Sequence, residues 1–534
     1  MTEIKKIYAQ RNTGVRRMQL SAPLRVCAVI IMVIGVLLWV ACNKKNIDLK
    51  PSLPTEQNYF ENEQQFDQGV IGIYSKLVFF YNYRGGSGQE WLHDVRLLPD
   101  DDITTNWLSP FESFTTLQAG NRKVYDYYTF LYQLNARANN MLDVFGKKAA
   151  SVYKNNTLKD WHKGEMLFLR GYSHFQLWNL YGIAPLINWR IDNDSLLYTP
   201  NSSGTQLLDA AIADFSASAA LLPESWPDPL HKGRITKGAA SGMAGKALVY
   251  RANIRKNTGD YQLALEQFNQ VKGFSLVSNY GDNFKREHEN NVESVFEIQL
   301  GDNANQEGSN PWLDTDQFDG NGDISGYWGF FDNHWSFFGG SRLLPTSSLK
   351  TAFANDPRKE YCFNDDGIVK YVKGTFGGDG RNFAASYTNN PRILRYADVL
   401  LLKAEALLLS GGSTLEVIRL INQIRTRARQ SGSPTASLPA DYSTGESDRK
   451  KILKWLIEER RIELAFEEGH RWFDLRRWHM GGILQDVYGK DLENGWNFGS
   501  MHAAFSFSAK NLYLPIPFEE LQLNPKLKQH DGWQ

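Results

Sequence analysis

The sequence predicts a mainly α protein, in which a scaffold of paired helices carries one loop-rich insertion with short strands. Apolar residues recur at helical spacing in many segments on both sides of the insertion. Residues 293–390 instead contain long stretches rich in Gly, Asn and Asp. The chain has 534 residues, of which 42% are hydrophobic, so it is long enough to bury a large core.

Residues 1–41 have the pattern of an export signal. An apolar run from Val26 to Ala41 follows a basic region and ends at Cys42. The residues Leu38 to Cys42 resemble the lipobox of bacterial lipoproteins, with Trp39 where Leu is usual. The run is shorter than the ~20 residues that cross a bilayer, which favours lipid attachment at Cys42 over a spanning anchor. A start at Met18 would give the signal its usual proportions.

Composition limits the classes of partner and the chemistry. Lys plus Arg and Asp plus Glu number 59 each, so the overall charge does not favour nucleic acid as a partner. The chain has three cysteines, at positions 27, 42 and 362, and Cys362 is left without an intramolecular partner once the other two are assigned to the signal and the lipid site. Aromatic residues make up 13% of the chain, which predicts that some rings lie at a binding surface.

Residues 42–58 are polar and contain Pro51 and Pro54, which predicts an extended tether. Helical spacing follows within residues 59–292, the predicted N-terminal helical region. The predicted helices are Glu63–Leu77, Val124–Val144, Trp161–Tyr181, Thr205–Leu222, Thr236–Asn257 and Tyr261–Val271. Small residues in Thr236–Asn257 would let a neighbouring helix approach closely.

Residues 293–390 form the predicted loop-rich region, and residues 391–534 form the C-terminal region. Val292–Gln299 alternates in polarity like a short strand. Helical spacing resumes in the C-terminal region, which ends with an extended run at Leu512–Pro517. The predicted C-terminal helices are Tyr396–Leu409, Thr414–Arg429 and Arg449–Glu468.

Blocks along most of the chain form an ordered set of motifs. They are Gly164–Tyr172, Tyr181–Leu186, Gly233–Ala240, Arg395–Ala406, Ile421–Ala428, Glu459–Arg477 and Leu514–Pro517. Glu459–Arg477 is called the signature segment below. In number and order the blocks resemble those of the SusD/RagB family of outer-membrane nutrient-binding lipoproteins. The chain departs from the family at its end, where His530-Asp531 replaces the usual Asn-Pro.

The resemblance implies a tetratricopeptide-like scaffold, an outer-membrane location facing the cell exterior, and an oligosaccharide or polysaccharide ligand. It also implies a role as the lid of a SusC-like TonB-dependent transporter, without enzymatic activity or a cofactor. Three alternatives remain open. The chain could be a peptide-binding lid, a lid that gates without touching ligand, or a lipid-anchored glycoside hydrolase with two carboxylates about 5–10 Å apart.

Aromatic residues in polar loops are the candidate ligand contacts. A flat ring can stack on the C–H face of a sugar while neighbouring polar groups bond its hydroxyls. The alternative is that these rings anchor long loops to the helical frame. The candidates are Trp107, Trp312, Tyr327, Trp328 and Trp335, with Phe111 beside the first.

Clusters of acidic residues suggest further sites. Asp314, Asp316 and Asp319 could hold calcium, but the EF-hand spacing fails and a solvated acidic loop is favoured. Asp100–Asp102 is favoured as a turn or cap rather than a metal site.

The signature segment carries a repeating charge pattern. Glu459, Glu463, Glu467 and Arg471 recur every four residues, which predicts one helix face. Paired carboxylates could act as general acid and base. A semi-buried ion network with nearby arginines is favoured instead, because a helix interior is a poor place to reach substrate.

Overall fold

The computed structural model places helices that are consecutive in sequence side by side. It describes Met32, Glu56 and residues 58–81, 94–105, 109–300, 343–365, 367–371, 389–432, 436–489 and 508–533. Residues 61–534 form one compact unit. Residues 1–60 form a separate unit, few of whose residues are described. Within the described ranges, none of the helices combines the length and apolar character that crossing a membrane requires.

Helices dominate the described residues, which confirms the mainly α prediction. The N-terminal helices are α1 (Glu63–Tyr74), α2 (Asp94–Leu97), α3 (Pro110–Ser113), α4 (Arg122–Val152), α5 (Asn156–Tyr181), α6 (Gln206–Leu221), α7 (Lys237–Arg255) and α8 (Thr258–Phe268). The later helices are α9 (Ser347–Phe353), α10 (Lys359–Cys362), α11 (Tyr396–Leu409), α12 (Thr414–Ser431), α13 (Arg449–Glu463), α14 (His470–Gly481), α15 (Ile483–Tyr488) and α16 (Phe518–Leu523).

Short polar residues set where the long helices begin. The Asn121 side chain accepts from the first backbone N–H groups of α4, and Thr236 accepts from the N–H of Ala239 in α7. Asp448 caps α13 in the same way. Each such cap stabilises a helix by roughly 1 kcal/mol, because it satisfies N–H groups that have no partner inside the helix.

Helices α4 to α8 pack in sequence order, each against the next, and α11 continues the series by packing on α8 and α12. Small residues bring these helices close together. A Cβ added to Gly245 of α7 would lie 2.4 Å from the Phe268 ring of α8, and one added to Gly242 would lie 2.6 Å from Leu394. This confirms the close approach predicted for this helix.

The C-terminal helices enclose their own apolar core. Leu401 of α11, Ile421 of α12, Leu456 of α13 and Trp478 of α14 are all fully buried in it. Burial of such side chains stabilises the fold by about 1.5–3 kcal/mol each, so this core holds α13 and α14 firmly. The signature segment therefore lies on a rigid base.

The described strands form antiparallel pairs. They are β1 (Ile103–Thr105) with β3 (Leu343–Pro345), β2 (Ser294–Glu297) with β6 (Arg392–Arg395), and β4 (Phe363–Asn364) with β5 (Gly367–Ile368). The predicted strand at Val292–Gln299 is thus confirmed as β2. Each pair joins segments of the loop-rich region to one another or to the helical frame.

The prediction of one helix from Arg449 to Glu468 is wrong. Helix α13 ends at Glu463, and α14 begins at His470. Between them Phe466, Glu468 and Gly469 have positive φ angles of 65°, 49° and 75°, which an α-helix does not accommodate. An α-helix therefore cannot continue through these residues.

Candidate functional site

The predicted ligand contacts lie outside the described residues, but the structure shows where their segments begin and end. Trp107 falls in the gap after Thr105, and Trp312, Tyr327, Trp328 and Trp335 fall between residues 300 and 343. The calcium candidates Asp314, Asp316 and Asp319 and the lipid-site residue Cys42 are also outside the described residues. The ends of these segments are called the loop roots below.

One pair of loop roots meets at the β1–β3 ladder. Thr105, the last residue of β1, pairs with Leu343, the first residue of β3. Paired residues in an antiparallel ladder have Cα atoms about 4.5–5.5 Å apart. The residue that precedes the Trp107 segment and the residue that follows the Trp335 segment are therefore neighbours in this ladder.

A second pair of loop roots meets at the β2–β6 ladder. The N–H of Leu300 donates to Asn390 Oδ1 at 2.7 Å, and the N–H of Ile298 donates to the carbonyl of Pro391 at 3.1 Å. Leu300 precedes residues 301–342 in the chain, and Asn389 and Asn390 follow residues 372–388. The hydrogen bond between Leu300 and Asn390 thus joins the described ends of two long segments of the loop-rich region.

The acidic run Asp100–Asp102 ties the first pair of roots to the signature segment. Asp100 Oδ1 accepts from the N–H groups of Asp102 at 2.8 Å and Ile103 at 2.9 Å. Asp101 accepts from Arg471 at 2.6 and 2.9 Å, and Asp102 from Arg461 at 2.8 Å. These bonds confirm the prediction of a turn or cap, because the carboxylates hold backbone and arginine groups.

Burial and charge set the protonation of this run. Burial, together with the Asp102 and Asp101 carboxylates, raises the pKa of Asp100 well above its usual value. Burial acts in the same direction on Asp101, but the Arg471 guanidinium outweighs it and holds the pKa of Asp101 below its usual value. The run therefore presents an ionised Asp101 to the signature segment and favours a neutral Asp100.

Glu463 lies at the centre of a second, larger cluster. It accepts from Arg358 at 2.8 Å, from Arg395 at 2.9 Å and from Arg427. Burial opposes ionisation of Glu463, yet these arginines lower its pKa far below the usual value. Glu463 is therefore a buried carboxylate that stays charged because three cations surround it.

Glu467 and Glu459 extend this cluster. Glu467 accepts from Arg395 at 2.7 and 2.8 Å and from Lys370 at 2.5 Å. Glu459 pairs with Arg358 at 2.7 Å and Arg425 at 2.8 Å. The ion-network interpretation of the signature glutamates is confirmed, although their common helix face is not. The charged residues that link these glutamates to the loop-rich region, called the root cluster below, are Glu293, Arg358, Lys370, Arg395, Arg427, Glu459, Glu463 and Glu467.

The root cluster joins the loop roots to the helical frame. Arg358 and Lys370 lie in the segment that follows β3, and Arg395 ends β6. Glu293, just before β2, accepts from Arg395 at 2.5 Å and from Arg427 of α12 at 2.7 Å. Removing one partner from a buried charge cluster typically costs about 3–5 kcal/mol, so the roots are firmly held.

Phe111 differs from its prediction as an accessible ring. It is 0% exposed and packs in the core at α3, with the Lys123 ammonium 5.8 Å from its ring centre. In the sequence it follows Ser109 and Pro110, which is why it resembled a loop residue. A turn of helix at Pro110–Ser113, capped by Ser109, instead directs the ring inward.

Trp226 is a partly exposed aromatic residue that lines a cavity with Phe274. It was not predicted from the sequence as a candidate. Trp226 lies between Pro223 and Pro229 in a polar loop. An aromatic ring in such a loop is the same signal that selected the other candidates.

Two protein families match the chain. Residues 349–533 match the SusD family, and residues 48–250 match the family described as "starch-binding associating with outer membrane". The chain is 24% identical over 531 residues to SusD-like protein P25 of Formosa agariphila, covering 90% of this chain and 94% of the relative. It is 23% identical over 564 residues to a SusD-like protein of Bacteroides ovatus, covering 92% and 95%.

Solved structures share this fold. A SusD superfamily protein from Bacteroides vulgatus superposes with a TM-score of 0.65 at 24% identity, covering 89% of this chain and 100% of the other. Surface glycan-binding protein A from Bacteroides thetaiotaomicron, solved with laminarihexaose, gives 0.66 at 18% identity and covers 87% and 99%. A laminarin-binding SusD-like protein gives 0.66 at 21% identity and covers 88% and 100%.

Proposed function

Because the chain belongs to the SusD/RagB family, we propose that it binds a glycan nutrient at the outer membrane and serves as the lid of a SusC-like TonB-dependent transporter. A lipid on Cys42 would hold it at the membrane, facing the cell exterior. Two findings about similar proteins support the proposal: one matched family is named for starch binding at the outer membrane, and solved neighbours are glycan-binding proteins.

The observation that carries the proposal is the meeting of loop roots at Thr105 and Leu343. Residues 106–108, which include Trp107, follow Thr105 in the chain, and residues 301–342, which include Trp312, Trp328 and Trp335, precede Leu343. Several aromatic rings on neighbouring segments can cover more than one sugar unit, while Asn and Asp groups bond the hydroxyls. The ligand proposed is therefore an oligosaccharide or polysaccharide.

A firm base would favour such binding. The root cluster and the bonds from Arg471 to Asp101 and from Arg461 to Asp102 hold the described residues next to the aromatic segments. A pre-organised base lowers the conformational entropy that binding costs. In the proposed cycle, glycan stacks on the loop aromatics and the body hinges over the barrel, which closes the lid on its load. The helical frame supplies the rigid element that moves as one body.

We propose binding without cleavage. The signature carboxylates Glu459, Glu463 and Glu467 each pair with buried cations, which leaves them no role as general acid or base toward a glycan. Stacking and hydrogen bonding need no reactive group.

A ligand screen tests this function. The purified chain starting at Asn43 is titrated with neutral hexasaccharides and with peptides while its tryptophan fluorescence is recorded. We expect a saturable change with one glycan class and intact glycan after overnight incubation. Saturation by peptides alone would support the peptide-binding alternative, and shortened glycan chains would support the glycosidase alternative.

A further inference from the structure

A cavity of about 320 Å³ on the helical frame, made of described residues, has the composition of a sugar site. Its volume is at the lower end of the roughly 300–1,000 Å³ typical of small-ligand sites. Trp226 and Phe274, both partly exposed, supply rings to its wall. The polar side chains that line it include Asp228, Lys232, Arg234, Ser294 and Glu297.

One short stretch of sequence positions the two rings. The indole N–H of Trp226 donates to the carbonyl of Ile235 at 2.9 Å, and the Arg234 guanidinium lies 4.6 Å from the ring centre. The Phe274 ring lies over Gly238, where an added Cβ would be 2.6 Å from Cε2. Because Gly238 leaves this space, Phe274 packs directly on the backbone of α7.

Arg234 is itself held in place. Its guanidinium donates to Glu165 at 2.7 and 2.9 Å and pairs with Asp67 at 2.5 Å. Burial raises the pKa of Glu165. The charge and the two hydrogen bonds of Arg234 act in the opposite direction, because they favour the ionised carboxylate. The Trp226 ring therefore rests on a fixed cation, and this part of the wall is rigid before any ligand arrives.

Two exposed groups at the rim keep bonding capacity for a ligand. Within the described part of the chain, the Lys232 ammonium has no ion-pair or hydrogen-bond partner, and the Asp228 carboxylate accepts only from the N–H of Leu230, at 2.9 Å. Glu297, by contrast, is bound by Arg392 and by Ser294. One donor and one acceptor of opposite charge suit hydroxyl groups better than a charged ligand.

We propose that this cavity is a second glycan-binding site, which takes one or two neutral sugar units. Residues His231 to Arg234 also line an adjoining cavity of about 470 Å³, so a longer chain can continue past Lys232. The inference rests on the proposed function and adds a second contact for the same glycan. Two sites on one chain increase the avidity for long glycans over short ones.

The test uses the chain from Asn43 with Trp328 and Trp335 both replaced by Ala, which weakens the loop site so that binding at the frame cavity can be followed. Binding of neutral hexasaccharides, including laminarihexaose and maltohexaose, is measured by saturation-transfer NMR. At least one hexasaccharide should still saturate this variant. Adding Trp226→Ala or the surface change Lys232→Met should weaken that binding at least tenfold, whereas Lys272→Met, at an exposed lysine outside both cavities, should not.

The results for the wild type and for the double variant separate the second site from glycan binding as such. If the wild type binds a hexasaccharide and the double variant binds none, the second site is overturned and the loop site stands. Binding that survives both Trp226→Ala and Lys232→Met also overturns the second site. If the wild type itself binds no hexasaccharide, both the proposed function and the second site are overturned.

Discussion

Replacing Glu463 by Gln should destabilise the fold and weaken ligand binding together. The side chain is fully buried and accepts from Arg358, Arg395 and Arg427. The amide keeps the shape but removes the charge that three cations share, which costs about 3–5 kcal/mol in a buried cluster. The entropy of unfolding for a unit of this size is about 1 kcal/mol per kelvin, so Tm should fall by roughly 3–5 °C.

Scanning calorimetry measures this shift, with Glu458→Gln as the matched control. Glu458 is the same residue type on the same helix, but it is 46% exposed and lies 3.9 Å from Lys454. An exposed pair contributes about 0–1 kcal/mol, so the control should shift Tm by less than about 1 °C. Equal shifts in Tm in the two variants would show that the buried charge of Glu463 contributes no more stability than an exposed one.

The same variant tests the link from cluster to loops. Arg358 and Arg395 belong to segments that carry the loop roots, so Glu463→Gln should also lower glycan affinity at 20 °C, well below Tm. A lower Tm with unchanged affinity would show that the root cluster stabilises the fold without positioning the ligand loops.

Two further perturbations have defined outcomes. Burial and the Lys246 ammonium, 3.3 Å from Nδ1, lower the pKa of His470 to about 3, so the unfolded chain takes up this proton first and stability falls as pH drops below about 6.5. Urea unfolding measures the free energy of unfolding at pH 7.5 and at pH 5. Its decrease between the two should be about 2 kcal/mol larger in wild type than in His470→Gln, and equal decreases would contradict the lowered pKa of His470. Gly245→Ala should destabilise the protein by about 1–3 kcal/mol in thermal unfolding, because the added Cβ would lie 2.4 Å from Phe268. Gly146→Ala, with open space around it, should not destabilise the protein. Equal destabilisation by the two changes would show that the contact with Phe268 does not matter.

The sequence predicts the existence of helices better than their ends. Helical spacing placed α7 within two residues, because Thr236 caps its start and small residues mark its packed face. It missed the first turn of α5, which begins at Asn156 because Asn155 accepts from the N–H of Leu158. Local pattern indicates which residues face the core, while a cap depends on a single side chain.

Partners far apart in sequence explain the larger miss. Glu467 bonds Arg395 and Lys370, which lie 72 and 97 residues away along the chain. No local spacing reveals such partners, so a four-residue repeat of charges looked like one continuous helix. Glu467, beyond the end of α13, bonds Lys370 and shares Arg395 with Glu463. The sequence predicted that an ion network would form but not which residues would pair.

The candidate site was predictable in character and not in geometry. Aromatic residues in polar loops selected Trp107, Trp312 and Trp328 from the sequence, but the pairing of Thr105 with Leu343 that brings their segments together depends on tertiary structure. The same rule should have selected Trp226 and should have rejected Phe111, which helix α3 turns inward. The exposed fraction of each ring separates a candidate ligand contact from a core residue, and only the folded structure gives that fraction.

Calorimetric titration of the glycan identified in the screen, comparing wild type with the Trp328→Ala, Trp335→Ala double variant, tests whether the loop aromatics bind the ligand. Trp189→Ala is the matched control, because this ring is 40% exposed and lines neither frame cavity. Two stacked rings at about 1 kcal/mol each predict a loss of affinity of roughly 30-fold in the double variant and no change in the control. Wild-type affinity in the double variant would contradict ligand binding by the loop aromatics.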